Sequence, residues 1–165
     1  MTEHKIDIAY RNLLKAAGSS VTAEDRKKIR SALDLAIRAC MDKRTLTGEP
    51  EIMHALSVAT IIAGEMGLGT TAIITALLHD TYTRLEVTPD ELEKEFGIKV
   101  VEILQGFSRI TGIDSMQSSY QAENFRKLLL SLADDVRVIL ITLVDRLENM
   151  RKLDTAPENE IMPLA

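Results

Sequence analysis

Thr70-Thr-Ala-Ile-Ile-Thr-Ala-Leu-Leu-His-Asp80 decides how this chain folds. Nine residues without a charge and without alternation read as a helix buried on all sides. The imidazole and carboxylate of His79 and Asp80 fall where that helix should end. Adjacent ligands at a helix end can face one ion without burying an unpaired charge. The bland reading is that the pair finishes the helix and hydrogen-bonds locally. Two distant residues could complete a ligand set. His54 lies upstream, and Asp145 sits inside Leu143-Val-Asp-Arg-Leu147 on a later apolar helix. A carboxylate there needs a partner, either an ion or a neighbour such as Arg146. His4, near the terminus, has no such setting.

Outward from this segment, helical periodicity dominates and no alternating strand is evident. Ile6–Ala17 reads as a helix ended by Gly18. Thr22-Ala-Glu-Asp25 resembles a capping box that opens a helix running to about Met41. Arg44 to Pro50 is a loop punctuated by Gly48 and Pro50. A helix follows over about Glu51–Met66, stopped by Gly67-Leu-Gly69. Thr88-Pro-Asp-Glu91 carries an N-cap threonine, a proline at the first helical position and a glutamate that can reach back. That helix ends at Phe96-Gly97, and another spans Ile98 to about Ile110. Asp114 to Ser119 is polar and reads as a loop. Gln121–Leu132 and Val136–Leu153 complete the set, with Asp134-Asp135 placed to cap the last one. Val136, Ile139, Leu140, Leu143, Leu147 and Met150 are its expected buried stripe. Pro157 and Pro163 make the tail irregular. The expectation is an all-α bundle of roughly eight helices.

The 165 residues are expected to form one domain, with 45% hydrophobic and 27% charged residues, enough for a core without staples. A net charge of −5 argues against direct nucleic-acid binding. The single cysteine, Cys40, cannot form an internal disulfide and reads as a small core residue rather than a nucleophile. Glu65, Gly67 and Gly69 break the longest apolar stretch, so no membrane span is expected, and the N-terminus lacks a signal-peptide layout. A cytoplasmic location follows as an expectation.

His54, His79, Asp80 and Asp145 offer two imidazole nitrogens and two carboxylates, a set that suits Mn²⁺, Fe²⁺ or Zn²⁺. Such a site can polarise a phosphoryl oxygen and acidify water. Asn149, four residues after Asp145, shares its helix face.

With these residues in place, the chain resembles the hydrolase half of the RelA/SpoT homologue family, enzymes that make and destroy the alarmone (p)ppGpp. The resemblance rests on Thr47-Gly-Glu-Pro-Glu-Ile-Met-His54, Ala76-Leu-Leu-His-Asp80, Phe96-Gly97, Gln121-Ala-Glu-Asn-Phe-Arg-Lys127, Asp135-Val-Arg-Val-Ile-Leu-Ile141 and Asp145-Arg-Leu-Glu-Asn-Met-Arg151. These segments cover most of the chain from about Ala36 to Leu153. The resemblance implies a helical HD-type fold, with Mn²⁺ at the positions of His54, His79, Asp80 and Asp145. It implies a guanine nucleotide site lined by Arg44, Gly48 and Asn149. Active members remove pyrophosphate from the 3′ position as guanosine-3′,5′-bis(diphosphate) 3′-pyrophosphohydrolases. A synthetase domain normally follows, making the parent protein a GTP pyrophosphokinase, and this chain ends before such a domain.

Departures from the family pattern matter more than the matches. Active members carry a Glu-Asp pair after His-Asp, where this chain has Thr83 and Arg84. Threonine is a poor base, and arginine cannot accept a proton. Thr45-Leu-Thr-Gly-Glu-Pro50 replaces the usual Arg-Lys-Ser-Gly-Glu-Pro, so Arg44 is displaced by one position. Thr142, Glu148 and Lys152 stand where lysine, histidine and threonine are usual, and Ala55 replaces a proline. The expectation is a domain that keeps its metal ligands, hydrolyses weakly or not at all, and serves as the regulatory half of a synthetase. The alternative is an active Mn²⁺-dependent alarmone or related nucleotide phosphohydrolase using Glu86 or Glu148 as a substitute base. In the bland reading Glu86 is a solvated loop carboxylate and Glu148 an exposed partner of Lys152. A third reading is an interaction module that has lost the metal.

Overall fold

In a computed structural model, residues 2–40, 42–45, 47–114 and 135–155 are described. Seven α-helices occur among them: α1 (Thr2–Ala17), α2 (Ala23–Ala39), α3 (Glu51–Gly64), α4 (Thr70–Leu78), α5 (Pro89–Phe96), α6 (Ile98–Asp114) and α7 (Val136–Thr155). Short 3₁₀ turns cover Gly18–Ser20 and Tyr82–Arg84. The described residues hold no strand beyond an isolated antiparallel bridge between Arg44 and Pro50. The eighth helix expected, over 121–132, lies outside the described residues.

Local chemistry explains where the helices begin. Thr22 Oγ1 accepts the Asp25 amide at 3.1 Å, and the Asp25 carboxylate accepts the Thr22 amide at 2.9 Å. Thr88 and Glu91 make the same reciprocal pair, with Pro89 at the first helical position. At α7 the Asp135 carboxylate accepts the Arg137 amide at 2.9 Å. Asp134, the other expected cap, is outside the described residues.

α3 and α4 form the centre. Every residue from Ala72 to Leu78 is buried, as are nine on α3 from Ile52 to Ala63. α3 packs against α1, α4 and α7, and α4 packs against α2 and α6. A helix surrounded this way needs apolar residues on every face, which the two sequences supply. α6 and α7 approach closely at Gly106, where an added Cβ would meet Val138 Cγ2 at 3.0 Å. That contact helps fix α7 beside the centre.

The register of α7 differs from the sequence expectation. Its buried residues are Val138, Ile141, Thr142, Val144 and Glu148. Val136 (63% exposed), Leu143 (56%), Leu147 (39%) and Met150 (64%) face outward instead, and Ile139 and Leu140 are half-buried. Both faces of Val136-Arg-Val-Ile-Leu-Ile-Thr-Leu-Val144 are rich in apolar residues, so periodicity alone does not choose between them. Asp145 does choose. Asp145 shares a face with Val138, Ile141 and Glu148, and the need to meet the two histidines turns that face inward.

Candidate metal centre

Three helices bring the four candidate ligands of the sequence together. His54 lies on the first turn of α3, His79 caps α4 with helical backbone angles, Asp80 follows it, and Asp145 lies midway along α7. One donor atom from each lies within 4.8 Å of all the others. His54 Nε2 is 2.7 Å from Asp145 Oδ1, and His79 Nε2 is 3.3 Å from the same oxygen. Asp80 places Oδ1 3.3 Å from His79 Nε2 and Oδ2 3.6 Å from His54 Nε2. Both histidines are buried, while the two carboxylates are partly exposed. The centre therefore has a dry floor and an open mouth.

The surroundings fit a divalent cation. His79 Nδ1–H donates to the Ala76 carbonyl, which aims Nε2 at the cluster. The His79 ring stands edge-on to Phe107, with centroids 5.0 Å apart, and that contact restrains its tilt. Among the described residues His54 Nδ1 is buried without a hydrogen-bond partner, and its Nε2 meets Asp145. Asn149 Nδ2 donates to Asp145 Oδ1 at 3.4 Å, the third group to converge on that oxygen. Two carboxylates facing two imidazoles balance the charge of a divalent ion with donors of intermediate hardness.

The electrostatics agree. Burial disfavours a charged His79, but Asp80, Asp145 and the Ala76 carbonyl outweigh it and push the imidazole up to about 9. Asp145 is pulled the other way. Burial raises it, yet hydrogen bonds and charge from His54 and His79 hold it well below the usual carboxylate range. A site that stabilises a proton between these groups also stabilises a cation there, and the two compete for the same lone pair.

The remaining sequence candidates take different places. Arg44 donates to the Gly48 carbonyl at 2.9 Å, and Gly48 donates its amide to the Thr45 carbonyl at 2.9 Å. The loop thus folds on itself, with Gly48 at φ 78°, a conformation suited to glycine. Thr83 is exposed on the 3₁₀ turn. Arg84 reaches across to Glu51, with Nη2–Oε2 at 2.6 Å. Glu86 is exposed and lines a cavity of about 600 Å³ with Arg38, Arg84 and Leu35, bounded by residues other than the four ligands. Glu148 is buried rather than exposed, because the α7 register turns it inward, and it lies 3.8 Å from Lys152 Nζ. Lys152 also makes a 2.6 Å ion pair with Glu49. Cys40 is buried, and that burial pushes its thiol up to about 11, the setting of a core thiol rather than of a reactive thiolate.

Glu49 and Glu51 escaped the sequence reading as partners of basic groups. The signal was available for Glu51, three residues before His54 and so on its helix face. Nothing local marks Glu49, whose partner is 103 residues away.

Comparison with known proteins settles the class. A family model described as "HD domain" matches residues 32–165. The chain belongs to the HD domain family. Its relatives place it with the HD domains of RelA/SpoT proteins. It is 41% identical over 127 residues to the guanosine-3′,5′-bis(diphosphate) 3′-pyrophosphohydrolase of Aquifex aeolicus, covering 77% of this chain and 18% of that protein. It is also 41% identical over 118 residues to the GTP pyrophosphokinase of Myxococcus xanthus, covering 69% and 16%. A Vibrio cholerae protein with the same name as the Aquifex one is 37% identical over 145 residues, covering 87% and 20%. The HD domain thus spans a fifth or less of these relatives. Among solved structures, one described as "a metazoan ortholog of SpoT" that "hydrolyzes ppGpp" superposes with a TM-score of 0.59 at 24% identity. It covers 79% of this chain and 73% of its own, and it supports the all-α HD fold. No described helix of this HD domain is long and apolar enough to cross a membrane.

Proposed function

We propose that this HD domain binds a divalent ion, Mn²⁺ by the family resemblance, on His54, His79, Asp80 and Asp145. It recognises a guanine nucleotide bearing diphosphates and hydrolyses it weakly or not at all. In the parent protein it would act as the regulatory half of a GTP pyrophosphokinase, in the cytoplasm. One observation carries the reading. The four donors converge, while the positions of the family's water-activating acids hold an exposed threonine and an arginine tied to Glu51.

Each part follows from the chain's own groups. Once bound, a divalent ion would supply Lewis acidity toward a phosphoryl oxygen and a lowered pKa for water. His79, aimed by Ala76, and Asp145, steadied by Asn149, would hold that ion together with His54 and Asp80. Neither Thr83 nor Arg84 can take a proton from water at neutral pH. A missing general base costs about 10²–10⁴-fold. Binding survives this loss, because phosphate recognition needs cations and donors rather than a base. The Arg44–Pro50 loop and Asn149 are the nucleotide-facing groups in this proposal.

Titration calorimetry on the purified chain tests it. The expected result is one Mn²⁺ per chain, loss of that binding in His54→Ala and Asp145→Ala, and binding of guanosine 3′,5′-bis(diphosphate) to the Mn²⁺ form. Absence of Mn²⁺ binding by the wild type would overturn the metal assignment. Binding of the ion without the nucleotide would overturn the substrate assignment.

A further inference from the structure

Two ion pairs lie on one side of the metal cluster, and both fasten the segment that begins α3. Glu49 and Glu51 flank Pro50, with Glu49 holding Lys152 of α7 and Glu51 holding Arg84 of the 3₁₀ turn after Asp80, each at 2.6 Å. Their placement follows from the helix contacts. His54 meets Asp145, and five residues earlier Glu49 meets Lys152, seven residues beyond Asp145. α3 and α7 therefore run in opposite directions here. Stepping back from His54 and stepping on from Asp145 lead to the same side of the cluster. Glu51 is three residues from His54 and Lys152 seven from Asp145, so each shares a helix face with a ligand. The Arg44–Gly48 loop lies on this side as well, joined to α3 by the Arg44–Pro50 bridge.

We infer that Arg84 and Lys152 are the phosphate-binding groups of this site, held by Glu51 and Glu49 until a diphosphate displaces those carboxylates. This rests on the reading of the site given above. A diphosphate offers the same recognition as a carboxylate with more charge and more acceptor oxygens, so it can exchange into both pairs. None of the four side chains is fully buried. Arg84 is 35% exposed and Glu51 20%, Lys152 19% and Glu49 40%, and the buried Glu148, 3.8 Å from Lys152 Nζ, keeps that cation as its partner when Glu49 leaves. The replacement of an acid by Arg84 then has a use. It removes a group that would repel polyphosphate and supplies one that holds it.

The sign of mutational effects tests the inference. Binding of inorganic pyrophosphate and of guanosine 3′,5′-bis(diphosphate) to the Mn²⁺-loaded chain is measured for Arg84→Gln, Lys152→Gln, Glu51→Gln and Glu49→Gln. Arg84→Gln and Lys152→Gln should each weaken both ligands about tenfold or more. Glu51→Gln and Glu49→Gln should each strengthen them, because the competing carboxylate is gone. Ion pairs that only brace the fold would make acid and base variants shift affinity alike or leave it unchanged, and either result overturns the clamp while nucleotide recognition stands. Wild-type chain that binds Mn²⁺ but neither diphosphate overturns the clamp and the nucleotide reading together, and leaves the metal assignment intact.

Discussion

Asp145 Oδ1 receives His54, His79 and Asn149 within 3.4 Å, more partners than a structural carboxylate needs. The imidazole Nε2 atoms and the carboxylates beside them are donors that a divalent cation can take in exchange for protons. Saturating Mn²⁺ should therefore stabilise the chain. At about 100 times Kd the gain is about 2.7 kcal/mol, or a rise in Tm of roughly 5–10 °C for a domain this size. Differential scanning fluorimetry should show that rise, reversal by EDTA, and its loss in Asp145→Ala. An equal shift in the variant would place the ion elsewhere. Cys40 offers a separate check. With burial holding its thiol at about 11, iodoacetamide at pH 8 should label the folded chain far more slowly than the chain in denaturant. Rapid labelling of the native protein would mean that the α2 C-terminus is open.

At the scale of elements, α7 decides both the fold and the site. The sequence shows its existence and its cap, since Asp135 precedes a long apolar run and does accept the Arg137 amide. It does not show the register, because two apolar faces compete and the choice lies in a contact 91 residues away, between Asp145 and His54. Substitutions separate the faces. Ile141→Ala should cost about 2–5 kcal/mol in urea unfolding. Leu143→Ser, on a residue 56% exposed, should stay within about 0.5 kcal/mol. The reverse ranking would restore the stripe that periodicity favours. Gly106→Ala tests the seat of the same helix. A methyl 3.0 Å from Val138 Cγ2 must push that side chain aside, so the variant should forfeit the roughly 1 kcal/mol that alanine ordinarily gains over glycine in a helix, and should weaken Mn²⁺ binding by displacing Asp145. A gain of that full amount would show that α6 and α7 have slack.

For the whole molecule, the helical class and the candidate pair His79-Asp80 are legible in the sequence because each has a local mark: Thr-x-x-Asp and Thr-x-x-Glu boxes, apolar runs without alternation, and His-Asp closing one of them, whereas His54 carries no mark of its own and joins them only across the fold. What escaped lies in pairings between distant segments. Glu51 with Arg84 and Glu49 with Lys152 depend on how three elements meet, and Glu148 looks exposed until the α7 register is known. The architecture gathers His54, His79, Asp80 and Asp145 at the junction of α3, α4 and α7, with the Glu51–Arg84 and Glu49–Lys152 ion pairs near the start of α3. The central claim is that the metal seat survives and the acids that would activate water do not. Pyrophosphate release from guanosine 3′,5′-bis(diphosphate), measured side by side for the Mn²⁺-loaded wild type and the Thr83→Glu, Arg84→Asp double variant, tests it most directly. At saturating nucleotide, little or no turnover is expected from the wild type and a kcat about tenfold or more higher from the variant, with a raised KM because Arg84 no longer holds phosphate. Brisk wild-type turnover that the double variant leaves unchanged or lowers would contradict it.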